Sequence, residues 1–456
     1  MIRMLLTGAS ALLLVSTPAA AQSEQEVLGG RYDRALAAGY KAMFLCSAIA
    51  NAEVFGAQRS EASVSAYELS GIQQPLDDIV AGLPAFIERG ADGVIDYVLV
   101  EWDEASPARI ALHKPDRGCS VQPMGMQVQW EPDSEIFVRN AVRMDRLGLT
   151  ADASTPDLAR TAFSPDYGEG ARTTAAVVLK NGEMVSEAYG PDHGPAVPQR
   201  TWSVAKSIAA TLIGAAVHRG DVEVHASAGL GDDLSDPRRA ITVDHLLRMA
   251  SGRYSDTAGN RTDPLYFGGS SVVETAVHWP LIDTPGQVFR YANNDTLMAV
   301  RAIGDTLEDH SPAALFQRPG MDRTIAETDW RGDHVLSSQV WSTARDLALL
   351  GQLHLDDGVL PSGERILPEN WVRYISAPAG PQPEGRPFGY GAGWWLFDKS
   401  EGIPPDTFAA MGNRGQYVVV VPSRDVVIVR RGEDPAGQGG FDIAAFTRDV
   451  LAALKD

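Results

Sequence analysis

Two stretches of strand-forming residues, each folding back on its own turn, bracket the larger part of this chain. The first, TTAAVVLKNGEMVSEAYG, spans residues 173–190, and Asn181-Gly182 at its centre supplies the two positive-φ residues of a type I′ hairpin turn. The second, GQYVVVVPSRDVVIVRRG at 415–432, turns at Pro422-Ser423-Arg424-Asp425. Between them lie helices and loops, including an apolar helix beginning near Ser203 and the helically spaced run TARDLALLGQLHL. A closing helix, DIAAFTRDVLAALKD, follows the second hairpin. Strands from both ends of a domain, with helices inserted between, predict one antiparallel sheet flanked by helices: an α/β sandwich with a helical lobe over residues 151–456.

Residues 22–150 read as a separate small α+β extension. GGRYDRALAAGYKAMFLCSAIA predicts a helix, and VIDYVLVEW and ARIALHK predict two strands joined by DEASP. No catalytic constellation occurs there, so its expected task is to pack against the larger domain or to lid it. Residues 1–21 read as a secretory signal: Arg3 as the positive region, Met4–Val15 as the apolar region, and Ala19-Ala20-Ala21 as the cleavage site before Gln22. About a dozen apolar residues fall short of the ~20 that a spanning helix needs. No later segment reads as a span either, so the expectation is a periplasmic or secreted protein with no membrane span after cleavage. Cys46 and Cys119, the two cysteines of the chain, would meet an oxidising compartment there. They predict a structural disulfide, since a redox dithiol needs closer spacing and a metal site more ligands.

The formal charge of −20 and the lack of a basic stripe argue against nucleic acid and anionic membranes, both of which require clustered cations. The nine histidines are scattered, with no HExxH and no spacing that suggests a metal. Asp244-His245 sits at a helix start and reads as structural. There is no P-loop and no G-x-G-x-x-G, so neither metal nor cofactor is expected, and the partner in view is a small-molecule or peptide substrate. G-x-S-x-G is also missing, against an α/β-hydrolase elbow.

Lys206 stands out. It is one of six lysines against 33 arginines, set in VAKSIAATLIGAA, where burial disfavours an ammonium. Ser203 lies three residues earlier, on the same helical face about one turn away. A serine is a weak nucleophile without a base, and a desolvated lysine beside it is a candidate general base. Ser203 at the helix N-terminus also gains from the helix dipole, which favours developing negative charge. Further along, FRYANND carries Tyr291-Ala292-Asn293, and MGNRGQYVVVV places Gly415 at the start of a strand, where a missing side chain lets a ligand approach the backbone.

S-x-x-K on a helix, Y-x-N on a loop and a glycine-bearing strand, in that order, resemble the serine β-lactamase and penicillin-binding-protein superfamily. The likeness is strongest to its class C-type branch, with family VIII carboxylesterases and 6-aminohexanoate-oligomer hydrolases. TVDHLLRMASGR, SSQVWSTARDLALLGQL, FGYGAGWW and GNRGQYVVVVPSRDVVIV support it. The resemblance implies an acyl-enzyme on Ser203, with Lys206 as the partner that takes its proton and Tyr291 as a second acid/base group that relays a proton to the leaving group. The proton work of acylation falls to the pair, with either residue able to serve as its base. Asn293 would orient substrate and Lys206, and the backbone N–H groups of Ser203 and Gln416 would form the oxyanion hole. Trp394, in the Trp394-Trp395 pair, is a candidate wall of the acyl pocket. In β-lactamases the third motif is typically Lys-Ser/Thr-Gly, whose cation faces a substrate carboxylate, whereas here it is Asn413-Arg414-Gly415. With side chains alternating along a strand, Asn413 facing the cleft sets Arg414 away from it. A neutral ester or linear amide is then the expected substrate, ahead of a β-lactam or a D,D-peptide. The alternative from another class is a catalytically silent binding module of the envelope.

Overall fold

The computed structural model describes residues 18–126, 148, 157–255 and 262–454. The apolar run Met4–Val15 lies outside the described residues. The first element is a 37-residue helix, Pro18–Val54, which runs through the expected cleavage point. From Ser23 to Val54 it is long and apolar enough to cross a bilayer, contrary to the expectation that no later segment would be, yet its apolar stretch from Ala35 onward is buried inside the protein.

This helix packs on four antiparallel strands in sequential order, β1 (Ala85–Arg89), β2 (Ile95–Val100), β3 (Arg109–Lys114) and β4 (Gly118–Val121). The strands β2 and β3 are the two expected from the sequence. Cys46 on the helix and Cys119 on β4 form the expected disulfide, their Cα atoms 6.1 Å apart.

The extension is not a separate unit, however. Its buried residues and those of the larger domain belong to one continuous apolar core. Tyr40 and Phe44 of the long helix stack on each other, and Phe44 lies 5.9 Å from Trp202 and 6.0 Å from Trp341, centroid to centroid. A helix apolar around its whole circumference must be covered on every side, and β1–β4 cover only one. Glu327 bridges the seam, accepting hydrogen bonds from Asn51 Nδ2 (3.3 Å), Cys119 N (3.1 Å) and Trp341 Nε1 (3.0 Å).

The larger domain follows with β5 (Thr173–Lys180), β6 (Glu183–Tyr189), β7 (Gln199–Arg200), β8 (Thr324–Ala326), β9 (Val340–Ser342), β10 (Gly389–Tyr390), β11 (Trp395–Leu396), β12 (Phe408–Gly412), β13 (Gln416–Val421) and β14 (Val426–Gly432). Seven of these form one antiparallel sheet in the order β10-β11-β12-β13-β14-β5-β6, so β5 and β14, from opposite ends of the domain, lie side by side, with Val177 opposite Val429. Asn181 (φ 53°) and Gly182 (φ 76°) make the positive-φ pair of the β5–β6 turn. Alternation sorts the sheet into two faces. Val177, Leu179, Val418, Val420 and Val427 join the core that holds the helices Val204–Arg219 and Ala344–Leu355. Val178, Val419, Val421 and Ile428 meet the closing helix Ile443–Ala453. Short helices between β7 and β10, among them Asn293–Arg301, make the helical lobe, and β7, β9 and β8 form a three-stranded patch beside it.

Candidate active site

The helix Val204–Arg219 has no polar face: residues 204 to 216 are all buried. It therefore sits between sheet and lobe, and Gly214 meets Trp371 so closely that a Cβ would lie 2.5 Å from the ring. Ser203 caps its N-terminus, and the preceding Trp202 adopts φ 49°, a left-handed conformation uncommon for a bulky residue. Such strain clusters at functional positions. Arg200 holds the approach to that turn. Its guanidinium is fully buried, bonded to Ser338 Oγ at 2.9 Å and caged by rings, with Trp202 at 4.0 Å and Phe44 at 5.1 Å.

Lys206 is buried one turn into the helix. Its Nζ lies 3.1 Å from Ser203 Oγ, 2.7 Å from Asn293 Oδ1 and 2.9 Å from the Ser337 carbonyl. Asn293, the first residue of its helix, is itself held by Nδ2 donating to Thr262 Oγ1 at 2.9 Å. Ser337 is held by its hydroxyl, 2.7 Å from Tyr266 Oη. The Tyr291 ring lies 5.0 Å from Lys206 Nζ. Burial pushes the Tyr291 phenol up to about 12, against a smaller downward pull from Ser203.

Thus Ser203, Lys206, Tyr291 and Asn293 come together. The remaining expected residues divide. Trp394 is fully buried between His354 (4.6 Å) and Phe408 (5.2 Å), behind the nucleophile helix. The tryptophan that reaches the site is its neighbour Trp395, stacked on Tyr291 at 5.6 Å and edge-on to Tyr390 at 4.9 Å.

Asn413, Arg414 and Gly415 are not strand residues. They form the turn between β12 and β13, where Arg414 (φ 57°) and Gly415 (φ 81°) are both left-handed. Gly415 is buried against Arg430 and Asp434, and a Cβ there would lie 1.8 Å from Arg430 Nη1, so its lack of a side chain makes room for protein and not for ligand. Asn413 is exposed. The Gln416 side chain is fully buried and accepts from Arg431 Nε at 2.6 Å, which leaves only its backbone to face a ligand.

Four contributors carry no mark in the sequence as read above: Ser337, Thr262, Arg200 and Gly412. The first acts through a carbonyl, which every residue has. Gly412, opposite Gln416 in the β12–β13 pairing, lies against the Ser203 backbone, and a Cβ on it would be 3.1 Å from Ser203 N and 2.4 Å from Thr201 O. Among the described residues no group of three or more His, Cys, Asp or Glu could hold a metal ion. Asp244 and His245 behave as helix-start residues, His245 completing a capping box with Thr242.

The Beta-lactamase family model matches residues 160–431. A 6-aminohexanoate-dimer hydrolase from Paenarthrobacter ureafaciens is 25% identical over 302 residues, covering 57% of this chain and 72% of that protein. Among solved structures, a Bacillus anthracis protein provisionally described as a 6-aminohexanoate-dimer hydrolase superposes with a TM-score of 0.56 at 21% identity, over 68% of this chain and 88% of that one. A family VIII carboxylesterase superposes with a TM-score of 0.51 at 15% identity, over 67% and 99%. These likenesses show the fold.

Proposed function

The chain belongs to the β-lactamase family, and from that premise we propose that it is a serine hydrolase cleaving an ester or linear amide bond through an acyl-enzyme on Ser203. The observation that carries this reading is the set of partners around Lys206. Asn293 Oδ1 and the Ser337 carbonyl can only accept hydrogen bonds. A neutral amine spends both its N–H groups on them, and its lone pair is left for the third partner, the Ser203 hydroxyl at 3.1 Å. That is the arrangement a general base requires.

Tyr291 complements it. Burial raises its phenol to about 12, which favours the protonated form at neutral pH, so in this reading Tyr291 donates a proton and the pair with Lys206 shares the proton work. Ser203 Oγ attacks the carbonyl carbon as its proton passes to Lys206 Nζ. Tyr291 then hands its proton to the departing alcohol or amine and recovers one from Lys206, which returns to neutral. In deacylation the pair takes a proton from the attacking water and returns one to Ser203 Oγ as the acyl group leaves. Ser203 N–H and Gln416 N–H take the oxyanion, each such donor contributing roughly 10²- to 10³-fold in rate. The aromatic pair Trp395 and Tyr390 supplies an apolar wall beside the reacting bond.

The relatives support ester and amide substrates, one being a 6-aminohexanoate-dimer hydrolase and another a family VIII carboxylesterase. Arg414 weighs against β-lactams and cell-wall D,D-peptides, because its guanidinium is spent on Glu433 (2.6 Å) and on backbone carbonyls. The disulfide fits a periplasmic or secreted setting. A fluorophosphonate probe should add its mass to Ser203, and Lys206→Ala should abolish labelling at neutral pH. Folded wild-type protein that takes no label would instead leave a binding module. Relative turnover of p-nitrophenyl butyrate, a chromogenic cephalosporin and a D-Ala-D-Ala peptide then ranks esterase, lactamase and peptidase.

A further inference from the structure

The family match begins at residue 160, so the extension is an addition to the fold on which it sits. It touches both backbone segments that must converge on an oxyanion. On one side, Phe44 packs at 5.9 Å against Trp202, the residue immediately before Ser203. On the other, a single turn of the extension, residues 67–71, receives the apex of the β12–β13 hairpin.

That apex is Arg414, a buried arginine in a left-handed conformation that a glycine would adopt at less cost. Its side chain explains the choice. Nη1 donates to Gly71 O at 2.8 Å, and Nη2 to Tyr67 O at 2.8 Å and Ser70 O at 2.9 Å, while Nε pairs with Glu433 at 2.6 Å. The receiving turn is rigid in its own right: Glu68 within it forms a fully buried ion pair with Arg59 at 2.7 Å. Arg172 grips the same turn, through Ser70 O at 2.7 Å and Ser70 Oγ at 2.8 Å, and is itself tied to Glu433 O and, through its backbone N–H, to Asp434 Oδ1 at 2.7 Å.

We infer that the extension is a clamp for the oxyanion hole, and that Arg414 is its positioning residue. The guanidinium fixes the hairpin apex to residues 67–71, and so holds Gly412 and Gln416 at their distance from the Ser203 amide. The inference rests on the serine-hydrolase reading above. It gives the extension a catalytic consequence and makes the hydrolase domain incomplete without it.

The test uses the full chain. Arg414→Lys keeps the charge but cannot span three carbonyls and a carboxylate. Its kcat on p-nitrophenyl butyrate should fall roughly 10- to 100-fold, short of deleting an oxyanion donor outright, with KM within about twofold. The affinity of phenylboronic acid, whose Ser203 adduct places an oxygen in the same hole, should fall in proportion. Arg172→Lys weakens a different tie to the same turn and leaves the Arg414 contacts in place, so it should lower the melting temperature and reduce kcat several-fold less than Arg414→Lys does. Phe44→Leu, which relaxes the other contact, should resemble Arg414→Lys and serves if that variant does not fold. Unchanged kcat and boronate affinity in Arg414→Lys, or equal kcat losses in Arg414→Lys and Arg172→Lys, would overturn the clamp while leaving the hydrolase intact. A wild-type chain that takes no fluorophosphonate removes both.

Discussion

Gly412→Ala isolates the contact between hairpin and nucleophile. Gly412 does not have a positive φ, so alanine meets no backbone penalty there, and reduced freedom in the unfolded chain would if anything stabilise the variant. The new Cβ, however, would stand 2.4 Å from Thr201 O and 3.1 Å from Ser203 N. Ordinary contact is about 3.5 Å. The hairpin or the 201–203 turn must therefore retreat by about 1 Å, and neither side of the closest contact is a flexible side chain. A displacement of that size at a reacting centre costs about 10²-fold, close to the roughly 10²- to 10³-fold attached to one oxyanion donor. Overpacking adds about 1–3 kcal/mol of destabilisation. Steady-state hydrolysis of p-nitrophenyl butyrate, with a melting curve to confirm the fold, reads both quantities. The expected result is kcat reduced about 100-fold in a protein that still melts cooperatively. Wild-type kcat/KM in a folded Gly412→Ala variant would show that the hairpin does not approach the nucleophile as described, and the oxyanion assignment would go with it.

Acidification should lower the melting temperature between pH 7 and pH 5. Burial depresses His193 to about 3 and His334 and His354 to about 4, against an ordinary 6.5, so the stability they contribute is present above 6.5 and is lost as pH falls toward those values. Burial raises Glu327 to about 7 and Asp346 to about 6, and their contribution runs the other way, being lost as pH rises through 6 to 7. Three imidazoles with large shifts outweigh two carboxylates, and a melting temperature that climbs on acidification would contradict that balance. Separately, Cys46→Ser with Cys119→Ser opens a link across a sequence separation of 73 and should cost about 4 kcal/mol of stability. Urea denaturation measures it, and an unchanged midpoint would mean that the shared core alone holds the extension.

Local signals were read well where local chemistry decides structure. The Asn181-Gly182 turn needs no tertiary context, and the periodicity of 344–355 and the long apolar run after Ser203 name their own helices. The cluster of Ser203, Lys206, Tyr291 and Asn293 is legible because the proposed acyl-enzyme chemistry demands particular side chains at fixed spacing. What stayed hidden depended on distant parts of the chain. Gly412 matters through an atom of Ser203 more than 200 positions earlier, and Ser337 through a carbonyl. The extension looked separate because its helix and strands form a plausible small unit by themselves. Its attachment shows only once the Tyr40–Phe44 face of the helix is seen to lack a cover from β1–β4.

Arg414 reached the expected orientation by a different route. Strand alternation from Asn413 would set its side chain away from the cleft, but residues 413–415 are a turn, and alternation does not govern a turn. Two consecutive left-handed residues rotate the chain through the apex, and the arginine is drawn outward by three carbonyls and a carboxylate that satisfy its guanidinium. The difference has a consequence for substrate choice. A side chain set by alternation alone could be turned into the cleft by a small shift in register. One whose donors are already engaged would have to abandon Glu433 in a buried site, at a cost of about 3–5 kcal/mol for the charge left unpaired. A substrate carboxylate offers no more than the contact given up, so this hairpin supplies it with no cation.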